Sequence, residues 1–230
     1  TVPEVDARIT SGWFWGNGKS TPKSMEQLAN MYFSSVGRNA PLLLNIPPNN
    51  KGTVDDAILN RVKEFGNAVK ETFTNNIAAG KNVSCTASEV RGNDIAYSPN
   101  NVLDGNQDTY WTTDDKTEAT EATLEVNLGE TKQFDVVSIE EAIKFGQRIS
   151  EFKVEYKNGS DEWKVFGSGK TVGAKRLCRR SPVKADKLRI TVKTSEKAEH
   201  KAPIISEVGV YRAAAAFALG NGIPEGLEIL

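Results

Sequence analysis

The chain has a single histidine, two cysteines and no excess of charge of either sign in its 230 residues, and each of these scarcities excludes something. His200 lies in the charged run SEKAEHK and reads as a solvated loop residue. One histidine so placed weighs against a Ser-His or Cys-His hydrolase within this chain. Cys85 and Cys178 cannot make a disulfide framework, and no CxxC or Cys/His cluster points to zinc; they read as two buried thiols or one long-range bridge. With 29 basic and 30 acidic residues the net charge is -1, which supplies no field to attract nucleic acid. No run of about 18 apolar residues is present, so no membrane-inserting helix is expected. The first residue, Thr1, is neither methionine nor part of a charged-then-apolar leader, and the start reads as an internal cut.

Two periodicities divide what is there. Up to about residue 78 the pattern is helical: Met25, Leu28, Ala29, Tyr32, Phe33 and Val36 form one apolar stripe, with Thr21 as cap and Pro22 at the first helical position. A second helix is expected from Thr53, with Thr53 and Asp56 spaced as a capping box and Ile58, Leu59, Val62, Phe65, Val69 and Phe73 on one face. Between them lies SVGRNAPLLLNIPPNNKG. Gly37 suits the left-handed residue after a helix, and Leu42, Leu43 and Leu44 suit a strand covered on both faces. Pro47-Pro48 stiffens the turn that holds Asn45 at the strand's C-terminal end, which in a parallel barrel is the chemical end. Seventy-odd residues are too few to close a (β/α)8 barrel of about 250, so if this segment belongs to a barrel it is only the last part of one.

After residue 80 the period is two. Leu124-Val126-Leu128, Phe152-Val154-Tyr156, Leu188-Ile190-Val192 and Val208-Val210 alternate with polar residues between Gly, Asn, Asp and Pro signals, which predicts an antiparallel β-sandwich. Residues 118–122 read as a surface loop. The expected fold class is α+β in two domains, 1–78 and 79–212. Residues 213–230 read as a tail introduced by engineering. Within the sandwich, NVLDGNQDTYW sets side-chain and carbonyl oxygens at short intervals around Gly105, so it is either a calcium loop or an Asx-rich turn without metal.

NVLDGNQDTYW with the distant PIISEVGVY resembles the discoidin, or coagulation-factor C-type, sandwich, which includes carbohydrate-binding module family 32. The resemblance implies a jelly roll with one structural calcium held by Asp104, Asn106, Thr109 and Glu207, and by backbone carbonyls of Asn101 and Ser206. Trp111 is then a core residue. It also implies a loop-end sugar site, for which Tyr97, Arg91 and Asn93 are candidates, an ordinary polar loop being the alternative.

PEVDARITSGWFW followed by SVGRNAPLLLNIPPNNKG resembles the second half of the catalytic barrel of α-L-fucosidases of glycoside hydrolase family 29. IKFGQRISEFKVEY, GKTVGAKRL and APIISEVGVY resemble the C-terminal domain of its α-1,3/1,4 subgroup. What this implies is a retaining hydrolase of fucosylated glycans, secreted or periplasmic, with an Asp nucleophile and a Glu acid/base about 5–5.5 Å apart. Glu4 matches the acid/base in the motif P-x-E-V-D-x-S-I-R-x-G-W; Asp6 would share its strand face and could be structural. The nucleophile lies upstream of Thr1, so the missing N-terminal part of the barrel is an implied partner and the chain alone is expected to be inactive. Trp13 and Trp15 are candidate walls of the sugar site, core packing being the alternative, and Asn45 is a further substrate-binding candidate. Arg8 stands where the family has Ser, and Thr10 where it has Arg. The competing class is a non-catalytic carbohydrate-binding or adhesion module.

Overall fold

The structure is a computed structural model that describes residues 3–116, 119–195 and 199–219. Its first part is a parallel pair of strands backed by two helices. β1 (Val5–Arg8) and β2 (Leu42–Asn45) pair in parallel with Val5 opposite Leu42 and Arg8 opposite Asn45. Helix α1 (Met25–Ser35) connects them and α2 (Asp56–Thr74) follows. Ile9, Leu28 and Ile58 are fully buried together, with Leu44, Ile46, Val62 and Phe65 around them. That is one face of the strand pair closed by both helices.

The expectation that Leu42–Leu44 are covered on both faces is corrected: Leu43 is 53% exposed, on the side away from the helices. Both helix starts also differ from the expected ones. Ser24, not Thr21, caps α1, and it forms a reciprocal box with Gln27, at 3.2 Å from the Gln27 amide and 3.0 Å back to the Ser24 amide. Thr53 does not cap α2; Asp55 stands at that position and gives its side chain to other partners. Gly37 is not left-handed, and Asn39 is, with φ 70°. Glycine is required at 37 for proximity: a Cβ there would sit 2.4 Å from the Phe33 carbonyl and 3.1 Å from Leu177 Cβ.

The second part is a seven-stranded antiparallel sandwich. Its strands are β3 (Ser84–Ala87), β4 (Trp111–Thr112), β5 (Glu121–Glu141), β6 (Ile149–Lys157), β7 (Lys164–Gly169), β8 (Arg176–Thr194) and β9 (Ile204–Tyr211). Their order is β4-β9-β5-β8-β6-β7, with β3 added to β5. The long β5 and β8 change register between Asn127 and Lys132 and between Phe134 and Val136, and the irregularities let one continuous ladder fold over its own core. All four alternating sets lie in that core, each large side chain worth about 1.5–3 kcal/mol of burial. Trp111 is fully buried among them and donates its indole N–H to the Glu89 carbonyl at 2.9 Å. Glu121 and Ala122, expected in a loop, pair with Lys193 and Val192 and begin β5. Cys85 and Cys178 form no disulfide, and only Cys85 is buried, Cys178 being half-buried; burial pushes the Cys85 thiol up to about 12.

A polar and an aromatic joint bind the two parts. Asn39 donates to the Val172 carbonyl at 2.8 Å and accepts from the Lys175 amide at 2.7 Å, while the Leu177 amide donates to the Gly37 carbonyl at 2.9 Å. Residues 213–219 do not behave as a tail. The Ala213 amide donates to Asp135 at 2.6 Å, the Ala214 amide to Thr72 at 3.0 Å, and Phe217 is fully buried between α1, α2 and β8. The rest of that predicted tail, 220–230, lies outside the described residues.

Candidate functional site

The C-terminal ends of β1 and β2 hold the first constellation. The Ile9 amide bonds the Asn45 carbonyl at 3.1 Å, and the Asn45 side-chain amide donates to the Trp13 carbonyl at 2.9 Å, which ties the loop after β1 across the end of β2. The Arg8 guanidinium lies over the Trp13 ring, 5.4 Å from its centroid. Trp13 is 43% exposed and Phe14 is 86% exposed, so the loop displays aromatic surface to solvent. Trp15 is less free. Its indole N–H donates to Asp55 at 2.8 Å, and Asn49 donates to the other Asp55 oxygen at 2.9 Å. These two hydrogen bonds, that of Asn49 first, hold the Asp55 carboxyl below the usual carboxylate range. Asn49 also accepts from the Lys51 and Thr53 amides, and so knits the turn after Pro47-Pro48.

The structure therefore brings Trp13, Trp15 and Asn45 to one end. Glu4 is elsewhere along the strand: it is exposed and immediately precedes β1. Alternation puts it on the face of Asp6 and Arg8, away from the helices, but at the N-terminal end, about 13 Å of strand from Arg8. Glu4 shares the face of the constellation, not its end.

In the sandwich the loop after the 3₁₀ turn Pro99–Leu103 closes on β9. Asp104 accepts from the Asn106 amide at 2.8 Å and from the Thr109 hydroxyl at 2.7 Å, and that hydroxyl also donates to the Asn106 carbonyl at 2.8 Å. The Asn101 side-chain amide donates to the Ala96 and Tyr110 carbonyls at 2.8 and 3.1 Å, and its backbone carbonyl accepts from the Asp104 amide at 3.5 Å. Glu207 pairs in register with Glu140 across β9 and β5. Burial first, then the charges of Glu140 and Asp104, push the Glu207 carboxyl up to about 7. Glu140 is compensated, by Lys175 at 2.9 Å and the Gln107 amide at 2.9 Å. Glu207 is compensated less: the Gly105 amide donates to it, but its Oε2 is buried with no hydrogen-bond partner.

That orphan oxygen is what a cation would satisfy. Among the described residues no three His, Cys, Asp or Glu side chains are placed to hold a metal. An ion here would draw on amide, hydroxyl and carbonyl oxygens beside Asp104 and Glu207, the donor set of calcium and not of zinc. The Ser206 hydroxyl donates to the Glu140 carbonyl at 3.3 Å, which fixes Ser206 beside Glu207.

The three loop candidates for sugar are brought together but engage one another. Arg91 lies over the Tyr97 ring, 5.0 Å from its centroid, and also pairs with Asp115. Tyr97 packs on Tyr110 at 5.6 Å and Tyr110 on Phe145 at 5.2 Å. Asn93 is exposed in a left-handed turn with φ 51°. Tyr97 is thus half-buried in an aromatic row and is not an open platform. His200, as expected, is exposed; it lines a shallow surface cavity with Phe145, Gln147 and Arg148.

Sequence reasoning missed three groups. Arg8 and Trp13 are five residues apart with a strand end between them, and no period signals their contact. Glu140 meets Glu207 only through a register that pairing decides. Asp55 is two residues from the expected helix start, and its use by Trp15 spans 40 positions.

Residues 84–208 match the F5/8 type C domain family. Over 211 residues the chain is 36% identical to alpha-L-fucosidase 1 of Arabidopsis thaliana, covering 90% of this chain and 40% of that protein. It superposes on a GH29 fucosidase of Ruminococcus gnavus solved in complex with fucose with a TM-score of 0.88 and 54% identity, over 95% of this chain and 42% of that one. A glycoside hydrolase family 29 member from an unknown rumen bacterium is 26% identical with a TM-score of 0.68, over 96% and 34%. The chain thus spans about two fifths or less of the length of these relatives.

Proposed function

The chain belongs to the F5/8 type C domain family through residues 84–208 and is related over a partial region to GH29 α-L-fucosidases, and from this premise we propose that it is the C-terminal part of a retaining α-L-fucosidase. The observation that carries the reading is the continuity of the match. It runs through the strand pair, the two helices and the sandwich, at 54% identity over 95% of this chain. A free-standing sugar-binding module would need only the sandwich.

In this reading the loop ends beyond β1 and β2 form one wall of the fucose site, with Trp13 packing on the apolar face of the sugar and Asn45 holding the loop. Trp15, fixed by Asp55, supports that wall from behind. Glu4 is the carboxyl proposed to protonate the leaving oxygen and then to activate water, opposite an Asp nucleophile supplied by the preceding residues. The substrate is a glycan ending in α-L-fucose, of the α-1,3/1,4-linked type, and a secreted or periplasmic location suits such a substrate. Turnover of an aryl α-L-fucoside by the longer protein, and none by this chain alone, is the expected result. Turnover by this chain alone would refute the division of labour.

The sandwich is proposed to bind calcium through Asp104, Asn106, Thr109, Glu207 and the Asn101 and Ser206 carbonyls. When bound, the ion supplies positive charge to a buried pair of carboxylates and pins the loop to β9; no catalytic step passes through it. Excess calcium should raise the thermal midpoint by the equivalent of about 2.7 kcal/mol at a hundredfold excess over Kd. Glu207→Gln should act in two opposite ways: without calcium it raises the midpoint, since it removes a half-buried carboxylate repelled by Glu140 and Asp104, and it abolishes the response to calcium. An unaltered calcium response in that variant, followed by differential scanning calorimetry, would disprove the ligand set.

A further inference from the structure

The geometry points to Arg8 as a substrate-positioning residue, one that grips the sugar unit resting on Trp13 by two neighbouring hydroxyl oxygens; this rests on the fucosidase reading above. Three observations converge on it. Arg8 is the last residue of β1 and lies on the face turned away from the helices, opposite Asn45 in register. It therefore projects at the strand end that carries the exposed aromatic loop and not at the end where Glu4 stands. Second, its guanidinium lies over the Trp13 ring, 5.4 Å from the centroid, and so occupies the same wall as the ring itself. Third, among the described residues Arg8 has that ring contact and no hydrogen-bond or ion-pair partner, although it carries five N–H donors.

A cation on an aromatic face is held through its π surface, which leaves the N–H edge of the fork unused. That edge has a fixed geometry and delivers two parallel hydrogen bonds to a pair of adjacent oxygens. A pyranose laid against the exposed part of Trp13 presents such a pair in its vicinal hydroxyls. Trp13 then supplies the apolar half of recognition and Arg8 the polar half. Asn45, bonded to the Trp13 carbonyl at 2.9 Å, keeps the two in place. The neighbouring residue on the same face, Thr10, cannot share this role, since it is fully buried and its hydroxyl is bonded to the Gly12 carbonyl at 2.8 Å.

The test uses the longer protein with Arg8→Ala and Arg8→Lys. Arg8→Ala is expected to raise KM for an aryl α-L-fucoside about tenfold with kcat changed less than about threefold, as for contacts equal in ground and transition states. Arg8→Lys should recover only part of the loss, because a point charge cannot replace the fork. A merely structural Arg8 would lower the thermal midpoint and leave KM alone, and that result overturns the inference. A second readout is independent of turnover: titration of L-fucose against the quenching of tryptophan fluorescence in wild type and Arg8→Ala. Absence of turnover by the wild type sinks the fucosidase reading, whereas equal fucose binding curves, or none in either protein, sink the role of Arg8.

Discussion

Replacing Glu4 by alanine in the longer protein is expected to lower kcat/KM on an unactivated fucosyl glycan by about 10²–10⁴-fold, the usual contribution of general acid catalysis. The loss should shrink on an aryl fucoside whose leaving group needs no proton, and added azide should restore turnover by attacking the fucosyl-enzyme without a general base. Such a pattern distinguishes a proton donor from a residue that merely holds structure. It is a demanding test because Glu4 lies about 13 Å of strand from the loop that bears Trp13. Asp6 is on the same face and one step closer. Full activity in Glu4→Ala together with loss in Asp6→Ala would move the role to Asp6 and contradict the present assignment.

Phe217→Ala is expected to cost about 3–5 kcal/mol, as for a large aromatic removed from a core that cannot collapse. Phe217 is fully buried, with ring centroids 6.0 Å from Tyr32, 6.1 Å from Phe33 and 5.7 Å from Phe65. It contacts both helices of the first part. Its own carbonyl accepts from Arg179 of β8 at 3.0 Å, and Arg179 lies over Phe33 at 4.4 Å, so one residue joins helix, helix and sandwich. At about 2–4 °C per kcal/mol for a chain of this size, the midpoint should fall by roughly 10 °C. Because the cavity opens at the joint, near-ultraviolet circular dichroism should show the first part melting before the sandwich. A variant that melts in one step at the wild-type midpoint would mean that residues 213–219 are not structural.

How far the sequence disclosed this arrangement depended on whether a feature repeats. The sandwich core was legible because Leu124, Val126, Ile190 and Val192 alternate, and the helices because their stripes run over several turns. Boundaries were less legible where residues of one chemical type compete: Thr21 and Ser24 can both cap, and Gln27, placed three residues after Ser24, decides between them. Gly37 had two possible reasons to be glycine, left-handed backbone or close approach, and only packing against Phe33 and Leu177 separates them. Phe217 was lost in AAAAFAL because alanine gives no period, although a lone large aromatic there was a usable signal. The candidate sites divide in the same way. The loop ligands Asp104, Asn106 and Thr109 are close in sequence and were readable together, whereas the orphan oxygen of Glu207 and the stacking of Arg8 on Trp13 depend on strand ends and register.

Whether this chain completes a retaining fucosidase is decided most directly by proton NMR of the first sugar released from an aryl α-L-fucoside by the longer protein. Turnover with α-fucose appearing first is expected, as retention through a covalent intermediate requires, with no turnover by residues 1–230 alone. Initial release of β-fucose, or hydrolysis by this chain without the preceding residues, would contradict it.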